Sequence, residues 1–462
     1  MTTLSNTNYH LMRKDFYSRL LFLSFPIIVQ NLLMNSLSFI DTLMITKVSE
    51  EALAAVGLAN QMYFLITLFY FGVSSGAAIF VAQYWGAKQI DKLQRTMGIA
   101  LSIGLIGAIV SAFFSFFFPT LIMNVFTQDP VVVAYGIDYL RIVSVSYLMT
   151  SVVMIYSASL RSTGDSKTPM YITFISLIVN VILNYALILG HFGFPRLEVK
   201  GAAIGTLIAR TLEMFLLIFI IYRRKSAVAA PLKTLFSFSF DEVKSYFATC
   251  FPVILNEIFW SLGMVFYKIA FARLGTTVIA SVNVSQSIEH LFFVILIGIS
   301  NAAAILIGNK IGENDIPLAQ KYASTLIKIV IIFGVFMGVG LFTLAPIIPR
   351  LFTLSDYVYE ITVRSLQCMA LLIPIKAVTM LVVVGILRSG GDTKFSMFIE
   401  LGGVWGIGVP LAFIGALVFK LPIYYLYLLV GLEEVVKASI GYYRIKSNKW
   451  ITRLVEEPDE KA

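Results

Sequence analysis

Long apolar stretches occupy most of this chain and constrain its fold more than any other feature. A helix that crosses a lipid bilayer needs about 20 predominantly apolar residues. Twelve such stretches lie near 20–46, 52–83, 97–118, 131–160, 170–190, 201–222, 247–271, 278–307, 323–348, 361–387, 395–417 and 423–443. Only 13% of the residues are charged, which is about half the share in soluble domains. We therefore predict an all-α membrane protein with twelve transmembrane helices.

The distribution of Lys and Arg predicts the orientation of these helices. Short cytoplasmic loops carry an excess of Lys and Arg, and the chain has a formal net charge of +9. Clusters flank one set of loops and tails: Lys88/Lys92/Arg95, Arg161/Lys167, Arg223/Arg224/Lys225 and Arg444/Lys446/Lys449. We therefore expect a multi-pass protein of the cell membrane with both termini in the cytoplasm. The first apolar stretch is interrupted by Pro26, Gln30, Asn31 and Asp41, so we interpret it as an uncleaved span.

Sequence motifs of catalysis and of metal binding are absent. The two cysteines, Cys250 and Cys368, lie in opposite halves of the chain, and the three histidines are scattered. No HExxH or P-loop pattern occurs, and no Cys/His nucleophile constellation can be assembled. We therefore predict no enzyme activity, no catalytic residues, no cofactor, no ATP and no nucleic-acid partner.

An internal repeat organises the chain into two halves. Phe25-Pro26 returns 226 positions later as Phe251-Pro252, and the segment Arg161–Lys167 (RSTGDSK) returns 227 positions later as Arg388–Lys394 (RSGGDTK). Each half has six spans, so both halves enter the membrane from the same side, which is typical of a parallel repeat in secondary transporters. We predict an N-terminal segment 1–19, an N-terminal lobe 20–222, a linker 223–246, a C-terminal lobe 247–443 and a tail 444–462.

The repeated R-S-x-G-D-x-K motif predicts a tight turn at the cytoplasmic end of the fourth and tenth spans. Gly164 and Gly391 permit a chain reversal after a helix, and Asp165 and Asp392 are suited to cap the next helix. We expect Arg161 and Arg388 to reach lipid headgroups. A latch between the halves is the alternative.

These motifs together resemble the multidrug and toxic compound extrusion (MATE) family of bacterial exporters. The resemblance covers essentially the whole chain and rests on LRSTGDSKTPM, LRSGGDTKF, YWGAKQ and NVILNYALILGHFGFPRLEVKGAAIGTLIAR. It implies a two-lobed exporter of the bacterial inner membrane that is coupled to sodium or proton uptake.

Asp41 is the first candidate for an ion-coupling residue. Ionisable residues within hydrocarbon are costly and therefore indicate function by default, and the resemblance makes Asp41 the family's ion-binding aspartate of the first span. Asn180 and Asn184 share one face of the fifth span, and their carbonyls, with Thr206 as a further candidate, are suited to complete an oxygen shell for sodium. Interfacial placement of Asp41, or its pairing with Lys47, is the alternative, as is helix packing by the two asparagines.

A second set of ionisable residues lies in the C-terminal half. Glu257 resembles the family's seventh-span glutamate, Glu289 and His290 are adjacent in the eighth span, and Lys376 lies in the tenth. Lys376 is too deep to reach the headgroups, so we expect it to pair with Glu257 or Glu289. These four residues are candidates for substrate binding or a second coupling site, whereas a purely structural ion pair is the alternative. We assign Asn31 as the repeat counterpart of Glu257 and expect Arg210 and Glu213 to form an intrahelical pair.

The resulting hypothesis is an antiporter that exports amphipathic, often cationic, compounds in exchange for sodium ions or protons. Its partners are small-molecule substrates and the lipid bilayer, and we expect it to act as a monomer. A cavity lined by Phe, Tyr and Met would bind planar cations through cation–π contacts. The alternative function is a flippase for a lipid-linked saccharide, or an exporter of one dedicated metabolite.

Overall fold

The computed structural model describes residues 6–352 and 354–455, and these are almost entirely helical. The predicted segment 1–19 and tail 444–462 therefore lie partly outside the described residues. In chain order the helices are α1 Asn6–Ile45, α2 Glu50–Gly86, α3 Ile90–Phe117, α4 Pro119–Phe126, α5 Pro130–Val143, α6 Ser146–Ser162, α7 Lys167–Leu189, α8 Glu198–Arg223, α9 Leu232–Leu235, α10 Phe240–Ala272, α11 Thr276–Gly312, α12 Ile316–Leu344, α13 Asp356–Met380, α14 Thr393–Gly403, α15 Val409–Phe413, α16 Ile423–Val430 and α17 Leu432–Lys446.

The predicted all-α membrane fold is confirmed. Ten helical segments are long and apolar enough to cross a membrane, and α5 with α6 forms an eleventh that bends by 50°. The predicted twelfth span, 423–443, is built from α16 and α17, which are separated at Gly431. Both pieces are too short to cross a bilayer alone, since a single span takes about 20 residues.

Polar residues at the helix starts explain where several spans begin. The Ser49 hydroxyl accepts the Ala52 N–H at 3.0 Å, and the Asp129 carboxylate accepts the Val131 N–H at 2.8 Å directly before Pro130. Asp315 caps α12 in the same way. Such caps satisfy N–H groups that have no partner within the helix. The loops between spans can therefore be short.

Turns of π-helix continue α13 and interrupt the eleventh span. They cover Leu381–Leu387, Val404–Gly408 and Ile414–Val418. A π-turn inserts an extra residue into the helix and is found frequently at functional sites. In this half one π-turn directly precedes Arg388, and another begins four residues after Glu400.

The chain divides into two compact units, which are described separately. The first unit is Phe25–Ile254, and the second comprises Met1–Ser24 with Leu255–Ala462. The first unit holds a core of buried apolar residues from α2, α5, α6 and α8, among them Tyr70, Leu140, Tyr147 and Ala203. The predicted lobe limits at 222 and 247 stay predictions.

Close helix contacts in the first unit depend on glycine. A side chain at Gly72 would meet the Ile254 Cα at 2.9 Å, and one at Gly76 would meet the Cys250 Cα at 3.2 Å. The Tyr246 hydroxyl donates to the Val73 carbonyl at 2.7 Å beside them. The first turns of α10 therefore pack directly on α2.

The segment that follows α8 packs against α3 and α8, and the predicted limits of the linker stay predictions. Gln94 of α3 donates to the Ala227 carbonyl at 3.0 Å, and the Tyr222 hydroxyl donates to the Ala230 carbonyl at 2.6 Å. Gly98 of α3 lies against the Leu235 carbonyl, where any side chain would collide with the backbone of α9.

The repeated motif forms the predicted turn in both units, but its charged residues behave differently. Gly164 and Gly391 have φ angles of +97° and +82°, which confirms their role in the chain reversal. Asp165 caps α7, since its carboxylate accepts the Thr168 N–H at 3.0 Å. The capping prediction is wrong for Asp392, because its carboxylate binds Arg444 at 2.7 Å.

The carboxy-terminal tail is built into the motif of the second unit. Trp450 is fully buried, the Thr452 N–H donates to the Gly390 carbonyl at 2.6 Å, and Gly391 forms a β-bridge with Ile451. A side chain at Gly390 would collide with Trp450. This contact explains why the motif has Gly390 where the first half has Thr163.

The contact between Gly98 and α9 predicts the effect of a single methyl group. Gly98→Ala should lower the melting temperature of the detergent-purified protein, because the methyl group must displace the Leu235 carbonyl; overpacking costs about 1–3 kcal/mol. Gly57→Ala is the matched control, since Gly57 is helical with open space around it, and alanine favours helices. Equal melting temperatures for the two variants would contradict the packing of α9 on α3.

Candidate functional site

Asp41 and the two asparagines of α7 form one hydrogen-bonded group. The Asn184 Nδ2 donates to Asp41 Oδ1 at 2.7 Å and to Asn180 Oδ1 at 3.0 Å. Both asparagines are buried, whereas Asp41 is partly exposed. No ion pair joins Asp41 to Lys47 within the described residues. The structure therefore brings together three of the four residues proposed for the ion-coupling site.

Two polar atoms of this group lack a partner. Asn184 Oδ1 and Asn180 Nδ2 are buried and have no hydrogen-bond partner. A buried acceptor without a partner is costly and usually has a reason such as a bound ion or water. The donor set of one carboxylate with amide oxygens suits a hard cation such as sodium, and the carboxylate alone suits a proton.

Helix α8 packs closely against this group at a glycine. A side chain at Gly205 would strike Asn184 Oδ1, so glycine permits the close approach of α8 to α7. Thr206 is the next residue on α8 and is partly exposed. In the part of the chain that the structure describes, Thr206 donates no hydrogen bond to Asp41, Asn180 or Asn184.

A chain of hydrogen bonds crosses the first unit next to this site. The predicted Arg210–Glu213 pair forms at 2.7 Å, and Glu213 also accepts the Thr173 hydroxyl at 2.8 Å. Thr173 in turn accepts from Gln30 at 3.0 Å, and Arg161 donates to Gln30 Oε1 at 3.0 Å. Four spans are thereby joined through buried polar side chains.

The second unit contains the equivalent of the Gln30–Arg161 contact. Arg388 Nη2 donates to Glu257 Oε1 at 2.8 Å, and both residues are at least nine-tenths buried. The two contacts have the same sequence separation of 131 residues. Gln30 is therefore the counterpart of Glu257, and the assignment of Asn31 is wrong. The prediction that Arg388 reaches lipid headgroups is also wrong, because Glu257 retains it inside the protein.

Lys376 pairs with Glu289, one of its two expected partners. Their side chains are 33% and 27% exposed, so the pair is accessible from outside the unit. His290 is exposed and lies parallel to the Phe293 ring, with centroids 6.2 Å apart. Since Glu257 is bound to Arg388, the four candidate residues of this half do not form one cluster.

Sequence analysis missed a buried cation in the last span. Lys437 lies 3.0 Å from Glu434, 3.1 Å from Glu400 and 3.7 Å from Glu433, and Tyr267 donates to Glu433 at 2.5 Å. Lys437 is 227 positions after Arg210, which is the offset of the R-S-x-G-D-x-K motif. The repeat offset from Arg210 could therefore have identified Lys437 from the sequence.

The MatE family profile matches this chain twice, at residues 26–186 and 252–414. The two matches start 226 positions apart, as do the repeated Phe-Pro pairs. A probable multidrug resistance protein NorM of Thermotoga maritima is 24% identical to this chain over 437 residues, which cover 94% of this chain and 93% of the relative. The uncharacterized transporter YisQ of Bacillus subtilis is 24% identical, with 93% and 94% covered.

Solved structures share the fold. A crystal structure of MATE in the bent conformation superposes with a TM-score of 0.86 at 20% identity, covering 95% of this chain and 98% of that chain. The Vibrio cholerae MATE transporter VcmN in its bent form gives a TM-score of 0.85 at 18% identity, with 95% and 99% covered.

The symmetry between Gln30–Arg161 and Glu257–Arg388 predicts how substitutions of the buried pair differ. Glu257→Gln should fold with a modest decrease in melting temperature, because the first unit satisfies its arginine with a neutral amide. Arg388→Gln should be more destabilising, since it leaves the Glu257 carboxylate buried without a counter-charge; such changes cost about 3–5 kcal/mol.

Thermal melting of the purified variants, followed by size-exclusion chromatography, measures this difference. Arg364→Gln is a matched control that removes an exposed arginine from the same unit, where the Arg364 side chain is 53% exposed. If Glu257→Gln were as destabilised as Arg388→Gln, a neutral acceptor would be insufficient and the two contacts would not be equivalent.

Proposed function

The chain belongs to the MatE family of membrane transporters, and on this premise we propose that it is a secondary active antiporter. It exports amphipathic, often cationic, compounds in exchange for sodium ions or protons. The name of the Thermotoga maritima relative, a probable multidrug resistance protein, supports this class of substrate.

The proposal rests on the hydrogen-bond partner of Asp41. Asp41 is an acid within a membrane span whose hydrogen-bond partner is a neutral amide, Asn184, whereas Glu213, Glu257 and Glu289 each have a basic partner. A carboxylate without a fixed counter-charge is free to bind and release a cation. Asp41 is therefore the residue best suited to couple cation uptake to export.

Cation binding at Asp41 works through neutralisation of its charge. Sodium or a proton replaces the Asn184 amide as the partner of Asp41, and the unpaired Asn184 Oδ1 becomes available as a ligand. Asn180 and Thr206 are the further ligand candidates. A cation shifts a conformational equilibrium only as far as it binds one state more tightly, so the rearrangement of these amides is the step that distinguishes the two states.

The second half of the chain supplies the candidate contacts to substrate. The Lys376–Glu289 pair and His290 are accessible, so a cationic substrate can compete with Lys376 for Glu289. Glu257 holds Arg388 and therefore acts on substrate only if that pair opens. The high aromatic content of the chain, 14% of all residues, favours stacking and cation–π contacts with planar cations.

The proposed location is the inner membrane of a bacterium, with both termini in the cytoplasm. The clusters of Lys and Arg at one end of the spans support this orientation. Export against a concentration gradient then uses the sodium or proton gradient across that membrane, with no requirement for ATP or another cofactor.

Asp41→Asn should abolish coupled export. In vesicles that contain the protein, efflux of a fluorescent cationic dye should depend on one imposed gradient, either of sodium or of protons. Asp41→Asn should reduce the rate of efflux at least tenfold, because the amide carries no negative charge to attract a cation. The gradient that drives efflux identifies the coupling ion.

Asp138→Asn is the matched control, since Asp138 is a partly exposed acid of the same unit that pairs with Lys200 at 3.3 Å. It should transport as the wild type does. Gradient-driven efflux that is equal in Asp41→Asn and the wild type would overturn the assignment of Asp41. Failure of the wild type to move any cationic dye would overturn the proposed substrate class.

Asn184→Ala should weaken the binding of the coupling ion while the charged ligand, Asp41, is kept. The loss of one amide ligand should raise the ion concentration for half-maximal efflux about tenfold, which corresponds to about 1.4 kcal/mol. Asn124→Ala, at an exposed position of α4, should leave this concentration unchanged. An unchanged value for Asn184→Ala would exclude its carbonyl as a ligand.

A further inference from the structure

A cavity of about 330 Å³ lies at one end of the second unit. It is lined by the first turns of α13, the loop before α16 and the turn between α10 and α11. Arg364 lies 24 residues before Arg388, or about 36 Å along a helix. The cavity is therefore far from the end of the unit that holds Trp450, and none of the proposed transport residues line it.

Two basic side chains line this cavity. Arg364 binds Glu360 at 2.5 Å and stacks over the Tyr424 ring at 5.5 Å. Lys420 forms no ion pair with any residue in the described ranges 6–352 and 354–455. Because Glu360 compensates only one of the two positive charges, the cavity has a net charge of about +1 and suits a monoanion.

The backbone holds Lys420 at the cavity in an unusual conformation. Its φ angle is +47°, in the left-handed region that non-glycine residues rarely adopt. Such residues persist where the surrounding structure imposes them, and they cluster at ligand-binding sites. The loop between Val418 and Ile423 therefore sets the backbone from which the Lys420 side chain joins Arg364 in lining the cavity.

The surroundings of the cavity indicate a lipid as the ligand. Leu417, Val418 and Phe419 directly precede Lys420 and are 50%, 69% and 65% exposed. Tyr357 is exposed and lines the same cavity as Lys420 and Tyr424. Exposed apolar side chains that are followed by lysine, with tyrosines in the same lining, are typical of the boundary between hydrocarbon and headgroups. A soluble anion would make no use of this apolar approach.

We propose that this cavity binds the headgroup of an anionic phospholipid with a single phosphodiester charge. Lys420 and Arg364 contact the phosphate, as basic side chains do in lipid-binding pockets. The Tyr357 and Tyr424 hydroxyls are available to the glycerol portion, and the acyl chains follow Leu417 and Phe419. The orientation proposed above places this site in the outer leaflet.

Native mass spectrometry of the full chain in detergent tests the site. The probes are palmitoyl-oleoyl phosphatidylglycerol and the phosphatidylcholine with the same chains. We expect the wild type to retain one phosphatidylglycerol at a concentration about tenfold below that required by Arg364→Gln/Lys420→Gln. Lys446→Gln/Lys449→Gln removes the same charge from exposed positions near the tail and should bind as the wild type does.

The single variant Lys420→Gln controls for a folding defect, because Lys420 forms no ion pair with the described residues. This variant should lose most of the phosphatidylglycerol binding while its melting temperature stays unchanged. Equal retention of phosphatidylcholine, or equal binding by the double variant and its control, would overturn the site. Competition by glycerol 3-phosphate at the same concentrations as phosphatidylglycerol would overturn the lipid assignment and indicate a soluble phosphate ester. Dye efflux plays no part in this readout, so the result is independent of the proposed transport function.

Discussion

The cost of placing charge inside a membrane determines the arrangement of polar residues in this protein. A charged side chain that is surrounded by hydrocarbon must pair with another group or lie in a polar cavity. Arg388 with Glu257, Lys437 with three glutamates and Arg210 with Glu213 meet this requirement inside the units. The loss of one partner leaves the other uncompensated, so the pairs that join different helices, Arg388–Glu257 and Lys437–Glu400, also fix the relative positions of those helices.

The two halves share this polar framework but differ in charge. Gln30 and Thr173 in the first half correspond to Glu257 and Glu400 in the second, at the same offset of 227 positions. The second half therefore has acids where the first has neutral side chains, and it binds them to Arg388 and Lys437. Within residues 6–352 and 354–455, Asp41 forms no such ion pair and is hydrogen-bonded to the neutral Asn184 instead.

The fold was largely predictable from the sequence, because helix length, the repeat and the glycine turns depend on local patterns. The partners of the buried charges could not be predicted from the sequence. Arg388 was expected at the headgroups, but it pairs with Glu257 of α10, and hydropathy contains no sign of which acid a buried arginine contacts. The spacing of Asn180 and Asn184 predicted that they share one face, and the family resemblance placed them with Asp41. Thr206, a further candidate, makes none of the hydrogen bonds of this group in the described part of the chain.

The burial of Trp450 against Gly390 has a consequence for how the second unit folds. The residues that complete the turn between α13 and α14 follow α17 in the sequence, after the last of the described spans. The turn can therefore reach its final packing only after every one of these spans has been synthesised.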